Sequence, residues 1–315
     1  MAMVGTLRST MRQPRSPLVE ASMSQAFFVV LCCIMGLATV SPTVPLAHAQ
    51  LVAPPPGGAT PIGTPIGTPI VTDCAQKIAV PSYVYPCFTA TCPWGIFKTG
   101  ASIVIINPNS GPNFPDNQTK NDYIQLVDTV KTNSTVTTVL GYVSTSYGNR
   151  NSSAVLADID AYNQSFSTKL DGIFLDEGNT SCSSLSTYRL YDLRVKLYWG
   201  FTALNWGVIG SECFLNGTSI NTYCSFENSY SAYNSTAYAD SPSWVYDYPD
   251  TKFWHIVHTT PSDETSVQTG VSLSKTRHAG YIYFTDAVGT SNPYNVAPSP
   301  IVWQTEVAGA KNATC

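Results

Sequence analysis

The sequence predicts a single (β/α)8 barrel, and three observations support this fold class. Eight short apolar runs recur from about Lys77 onward. They are nearly continuous rather than alternating, as expected for parallel strands that are covered on the outside. Helical patterns separate several of them, which is the repeat of a barrel. In chain order the runs read "KIAVPSYVYP", "SIVIIN", "TTVLGYVS", "DGIFLD", "FTALNWGVIG", "CSFEN", "FWHIVHT" and "AGYIYFTD".

Helices are predicted after the second, third and fourth runs, because apolar residues there recur at the spacing of one helix face. Asn121 is a candidate N-cap of the first of these helices. No clear helix separates the fifth run from the sixth, so an open, doubly wound sheet remains the structural alternative. The predicted faces consist of Tyr123, Val127 and Val130, then Val155, Ile159 and Tyr162, and finally Tyr188, Tyr191, Val195 and Tyr198.

The first 49 residues have the pattern of an export signal. Arginines occur in a polar stretch, an apolar run spans Ala26 to Val40, and Ala47 and Ala49 occupy the −3 and −1 positions of a cleavage site. The apolar run is shorter than the ~20 residues of a membrane span. We therefore expect a signal peptide over residues 1–49, with translation from Met23 or retention as an uncleaved signal-anchor as alternatives.

The segment after the signal cannot form a packed core. Residues 50–73 repeat Gly-Thr-Pro-Ile and are rich in proline and glycine, which predicts an extended linker. The remaining residues, 74–315, are then the barrel and the catalytic domain.

Composition favours a neutral polar ligand. Only 11% of residues are charged and the net charge is −4, without a basic patch, so nucleic acid is excluded as a partner. The 18 tyrosines and 6 tryptophans suit stacking on sugar rings, although most are expected in the core. We expect a monomer that contacts no membrane unless the N-terminal segment is an anchor.

Sequons and cysteines indicate a secreted, extracellular or cell-wall protein. Seven cysteines lie outside the signal and none forms a C-x-x-C pair, so disulfides are favoured over zinc. Because seven is odd, at least one thiol is free or pairs with another chain. Cys87–Cys92 and Cys213–Cys224 are plausible local bridges, although sequence does not fix connectivity. Asn-x-Ser/Thr sequons begin at Asn117, Asn133, Asn151, Asn163, Asn179, Asn216, Asn234 and Asn312.

Four acidic residues fall where predicted strands end, which is where barrel active sites lie. Asp176 and Glu177 end the fourth run, Glu227 the sixth and Asp286 the eighth. Aspartate is common in turns, so Asp286 alone indicates little, whereas glutamate is not a favoured turn residue. Two carboxylates across a cleft are what glycosidic cleavage requires. Neighbouring strand residues point to opposite sides, and we expect Asp176 rather than Glu177 to face the axis.

Polar residues at the other strand ends are predicted to bind substrate. His255 and His258 would lie on opposite faces of one strand, so we expect no metal site there, and no motif indicates a cofactor. The predicted substrate-binding residues are Tyr85, Asn107, Tyr142, Asn205, His258 and Asp286.

Five ordered motifs resemble those of spherulin-4-like proteins, a group that is similar to the fungal Sph3-type glycoside hydrolases. The motifs are "PSYVYP", "IINPNSGP", "VLGYVSTSYGNR", "DGIFLDE" and "SFEN", and the resemblance covers roughly residues 77–286. It implies a secreted or membrane-tethered (β/α)8 barrel that cleaves α-1,4-linked galactosamine-containing polysaccharide, acting within N-acetylgalactosamine segments.

The resemblance also implies site roles. Asp176 would be the nucleophile, Glu227 the general acid/base and Glu177 a supporting acid, with retention requiring carboxyls about 5–5.5 Å apart. One departure is "NWG" at Asn205, where the family usually has "NPG"; we expect Trp206 to reshape the rim.

Two other functions stay open. The chain could be a non-catalytic carbohydrate-binding protein of a cell wall or coat, such as an encystment protein. It could also be an unrelated barrel enzyme, such as a metal-dependent deacetylase.

Overall fold

Eight parallel strands close into one barrel in chain order, with β1 paired to both β2 and β8. The computed structural model describes residues 74–89, 91–235, 241–289 and 292–313. The predicted barrel is confirmed and the open sheet is excluded. The strands are β1 (Lys77–Val80), β2 (Ala101–Ile106), β3 (Thr138–Ser144), β4 (Gly172–Asp176), β5 (Phe201–Asn205), β6 (Thr222–Ser229), β7 (Phe253–His258) and β8 (Tyr281–Phe284).

Helices of very different length connect the strands. The link between β5 and β6 has only the short α5, which explains why no helix was evident there in the sequence. Short 3-10 turns occur at Ser146–Gly148, Ser167–Lys169, Cys182–Ser184, Ser243–Asp247 and Asp250–Lys252. The helices are α1 (Trp94–Phe97), α2 (Asn117–Val130), α3 (Ser152–Phe166), α4 (Leu185–Tyr198), α5 (Cys213–Gly217), α6 (Tyr230–Tyr233), α7 (Glu264–Thr276) and α8 (Pro300–Lys311).

Helix α2 begins five residues earlier than the sequence suggested. Its N-cap is Asp116, whose side chain accepts the backbone N–H of Thr119 at 2.7 Å. Asn121 therefore lies inside the helix and the predicted cap was wrong. The predicted apolar faces of α2 and α3 are buried, and so are those of α4 except for the half-buried Tyr198.

Strand β1 is shorter than the apolar run that predicted it. It ends at Val80, because the next residue, Pro81, has no N–H to continue the ladder. Tyr85 is therefore a loop residue rather than the end of a strand, and that prediction was wrong.

Aromatic side chains fill the barrel and define which residues face its axis. The rings of Phe174 on β4 and Trp254 on β7 meet at 5.5 Å although these strands are not neighbours, so both point inward. Tyr142 is in register with Phe174, and Ser144 with Asp176. Because side chains alternate along a strand, Asp176 shares the inward direction of Phe174.

Two disulfides lie among the described residues. Cys87–Cys92 is the predicted local bridge, whereas Cys213 pairs with Cys182 and not with Cys224. The predicted Cys213–Cys224 bridge was wrong because Cys224 lies within β6, where it is buried as a free thiol.

The predicted signal segment and linker lie outside the described residues. Within the part of the chain that the structure describes, no helix is long and apolar enough to cross a bilayer.

Candidate active site

A single amide group joins two carboxylates at the C-terminal end of the barrel. Asp176 ends β4, Asn205 ends β5, and Glu227 lies near the end of β6. Nδ2 of Asn205 donates to Oδ1 of Asp176 at 2.7 Å and to Oε2 of Glu227 at 2.5 Å. Because one nitrogen reaches both oxygens, these oxygens are at most 5.2 Å apart. This limit is nearer to the carboxyl separation of about 5–5.5 Å in retaining glycosidases than to the roughly 6.5–9.5 Å in inverting ones.

The amide of Asn205 is fixed in orientation by the turn that follows it. Its Oδ1 accepts the backbone N–H of Gly207 at 2.8 Å, so both hydrogens of the NH2 group point toward the carboxylates. Gly207 has a φ of 69°, which glycine adopts without strain. Trp206 is buried and stacks on Tyr223 at 4.2 Å. It therefore packs in the core and does not reshape the rim as the sequence suggested.

Three tyrosines surround the pair on its other sides. The hydroxyl of Tyr294 donates to Oε1 of Glu227 at 2.5 Å. The ring of Tyr83 stands edge-on to Tyr142 at 5.5 Å and to Tyr294 at 5.7 Å. Sequence reasoning missed Tyr83 and Tyr294, because both lie in loops after the strands end. The motif "PSYVYP" did indicate the first of these loops, but Tyr85 was chosen from it.

The environment raises the pKa of Asp176 to about 6. Burial is the main cause and the charge of Glu227 the second, while interactions with Tyr142 and Asn205 oppose the rise. The carboxyl pair therefore takes up a proton below about pH 6. One proton shared between two carboxyls is the state that glycoside cleavage uses, since one group must act as an acid and the other as an anion.

Glu177 has a different role in the architecture. It follows the last residue of β4 with a left-handed φ of 53°, a conformation that is costly for a residue with a side chain. Its Oε2 accepts the hydroxyl of Ser144 at 2.5 Å, and its carbonyl accepts the N–H of Tyr147 at 2.6 Å. Glu177 thus ties the loop after β3 to the end of β4, directly beside Asp176.

His258 lies at the end of β7 near the pair. Burial lowers its pKa, and the charge of Glu227 offsets part of this effect, so the ring is neutral near pH 7. Its Nδ1 is 2.9 Å from the hydroxyl of Thr259. The other histidine of β7, His255, is buried, with its Nδ1 2.9 Å from the hydroxyl of Tyr233. Among the described residues, no group of three His, Cys, Asp or Glu side chains is placed to hold a metal ion.

The remaining predicted positions lie on the rim but make other contacts. Tyr85 is exposed and donates to Asp122 of α2 at 2.7 Å. Oδ1 of Asn107 accepts the N–H of Gly111 at 3.1 Å and closes a turn. Asp286 accepts the N–H of Ser299 at 2.9 Å and the hydroxyl of Ser262 at 2.7 Å, which ties the end of β8 to the start of α8. The structure thus brings Asp176, Glu227, Glu177, Tyr142, Asn205 and His258 together, whereas Tyr85, Asn107 and Asp286 have separate partners.

Comparison with known proteins gives a consistent family and fold. The family model "Spherulation-specific family 4" matches residues 77–309. Spherulin-4 of Physarum polycephalum is 32% identical over 248 residues, which cover 75% of this chain and 71% of that protein. The crystal structure of Aspergillus clavatus Sph3 in complex with GalNAc superimposes with a TM-score of 0.60 at 23% identity, over 76% of this chain and 98% of the other. At that identity, the structural likeness establishes a shared fold.

Proposed function

The chain belongs to spherulation-specific family 4, and from its carboxylate pair we propose that it is a secreted glycoside hydrolase of the retaining type. The observation that carries this proposal is the bridging amide of Asn205. Both carboxylates accept a hydrogen bond from this one nitrogen, and their short separation supports a covalent mechanism.

The proposed substrate is a galactosamine-containing polysaccharide with α-1,4-linked N-acetylgalactosamine segments, cleaved within the chain. The likeness to a protein whose structure holds GalNAc supports this sugar class. The three tyrosines around the pair and the low overall charge suit a neutral sugar. The disulfides support an oxidising, extracellular location.

In the proposed mechanism Asp176 is the nucleophile and Glu227 the general acid. Asp176 attacks the anomeric carbon while Glu227 protonates the departing glycosidic oxygen, which gives a glycosyl-enzyme ester and a shortened chain. Glu227 then takes a proton from water, which attacks the ester and releases Asp176. This mechanism requires Asp176 to be the anion, a form that the hydrogen bonds from Tyr142 and Asn205 favour.

The test is the Glu227→Gln variant, assayed for shortening of an α-1,4-linked N-acetylgalactosamine polymer by chromatography of the products. We expect loss of at least about 100-fold in kcat, because proton transfer to the leaving group is abolished. Glu264→Gln, at an exposed glutamate of α7, is the matched control and should retain activity. Undiminished activity of Glu227→Gln would overturn the assignment.

The same assay separates the two alternative functions. A wild-type protein that binds the polymer but never shortens it would be a carbohydrate-binding wall or coat protein. A deacetylase would release acetate without shortening the polymer and would lose activity on chelation of its metal.

A further inference from the structure

The loop after β3 exposes an aromatic ring from an unusual backbone conformation. Ser146, Tyr147 and Gly148 are successive left-handed residues, with φ of 47°, 57° and 80°. The side chain of Tyr147 is 59% exposed. A bulky residue is rare in this conformation, which costs about 1–3 kcal/mol and is typical of positions that serve a function.

Hydrogen bonds fix the backbone of Tyr147 to the active site. Its N–H donates to the carbonyl of Glu177 at 2.6 Å, and its carbonyl accepts from Nδ2 of Asn179 at 2.9 Å. Thr145, two residues earlier, donates its hydroxyl to the carbonyl of Asp176 at 2.9 Å. The ring of Tyr147 takes part in none of these bonds and is exposed, while its backbone is held beside the end of β4 that carries Asp176.

If position 147 served only to make backbone hydrogen bonds, a residue with less strain than tyrosine would suit it better. Glycine adopts a φ of 57° without strain and asparagine does so readily, and either could make the same two backbone hydrogen bonds. A ring that is exposed and attached to a fixed backbone can bind a flat apolar surface with little loss of conformational entropy. The apolar face of a pyranose is such a surface, and aromatic rings are the side chains that suit it.

We propose that Tyr147 forms an additional sugar-binding subsite, where it stacks on a pyranose of the polysaccharide beyond those that flank the cleaved bond. This inference rests on the proposed function, because it assumes that the substrate lies over Asp176. The ligand class is a neutral hexopyranose, with N-acetylgalactosamine as the probe. Chains long enough to reach Tyr147 are bound more tightly than short ones.

The experiment compares wild type with Tyr147→Asn and Tyr147→Phe on a length series of α-1,4-linked N-acetylgalactosamine oligomers. Asparagine removes the ring and tolerates the left-handed backbone, whereas phenylalanine keeps the ring. The matched control is Tyr246→Asn, which removes a 53% exposed ring from the connection that precedes β7. Thermal unfolding of each variant checks that the fold is intact.

We expect Tyr147→Asn to lower kcat/KM for the longest oligomers about 10-fold, the scale of one aromatic contact with its buried area. The shortest cleaved oligomer should be affected little, and Tyr147→Phe and Tyr246→Asn should behave as wild type. An equal loss at every length, or no loss at any, overturns the subsite.

Affinity electrophoresis in gels that contain the polymer measures binding without cleavage. It therefore tests the subsite independently of the proposed hydrolase activity. If wild type binds the polymer but does not cleave it, the hydrolase proposal fails. Weaker retention of Tyr147→Asn than of wild type in the gel would still support the subsite. If Tyr147→Asn is retained as strongly as wild type, or if wild type is not retained at all, the subsite is overturned.

Discussion

The hydroxyl group of Tyr294 donates a hydrogen bond to Oε1 of Glu227 at 2.5 Å. Burial and the adjacent charge of Glu227 raise the pKa of Tyr294 far above its ordinary value, so this hydroxyl remains a donor throughout the working pH range. With Asn205 on Oε2, both oxygens of Glu227 are held, and the carboxyl has one orientation. Tyr294 is therefore a positioning residue for the proposed acid.

Replacement of Tyr294 by phenylalanine should lower kcat about 10–100-fold, the effect of losing one hydrogen bond to a charged group. The hydroxyl of Tyr294 orients Glu227 rather than the sugar, so KM should change little. The comparison of kcat with KM is the decisive measurement, because a general loss of site structure would also weaken substrate binding. Tyr281→Phe, inside the barrel, is the control for the loss of a tyrosine hydroxyl.

Stability should depend on pH through Asp176. Its pKa rises from the ordinary 3.8 to about 6, so the native state holds this proton more tightly than the unfolded chain. Native stability therefore falls as pH rises from about 4 to 6 and stays reduced above that range. The Asp176→Asn variant cannot ionise at this position. Its free energy of unfolding should exceed that of wild type by about 1–3 kcal/mol at pH 7.5 and by much less at pH 4. Urea unfolding at the two pH values measures this difference, and an equal effect at both would contradict it.

Azide rescue should distinguish the roles of the two carboxyls. In Glu227→Ala, azide can intercept the glycosyl-enzyme, so an activated α-glycoside should yield the glycosyl azide with retained configuration. In Asp176→Gly, azide attacks the anomeric carbon directly and should yield the inverted azide. NMR of the products identifies the anomer, and the reverse pattern would exchange the two assignments.

The Cys182–Cys213 disulfide joins the loop after β4 to the start of α5. The chain segment between the two cysteines includes β5 and Asn205. Its sequence separation is 31 residues, against 5 for Cys87–Cys92. The chain-entropy model predicts that the free energy of unfolding falls by about 3–4 kcal/mol when both cysteines of the longer loop become serine. For the shorter loop, the expected fall is about 2 kcal/mol. Equilibrium unfolding of the two double variants tests this order, with equal losses as the contradictory result.

The site residues that could be predicted from the sequence are those at the C-terminal ends of strands. Asp176, Asn205 and Glu227 end or nearly end strands, so their approach follows from the barrel alone. Tyr294 could not be found this way, because its loop is positioned by a distant contact, the bond from the N–H of Tyr83 to its carbonyl at 3.0 Å. Tyr85 was misplaced for a local reason, since the first strand ends before it.

The bridging amide of Asn205 has a consequence for synthesis as well as for cleavage. With carboxyls this close, the proposed reaction passes through a glycosyl ester on Asp176. This ester persists until a hydroxyl group attacks it. Water is one acceptor, and a hydroxyl group of a second sugar chain is another. At high polymer concentration, the same protein should therefore transfer segments between chains and redistribute their lengths, with the anomeric configuration of every new bond preserved.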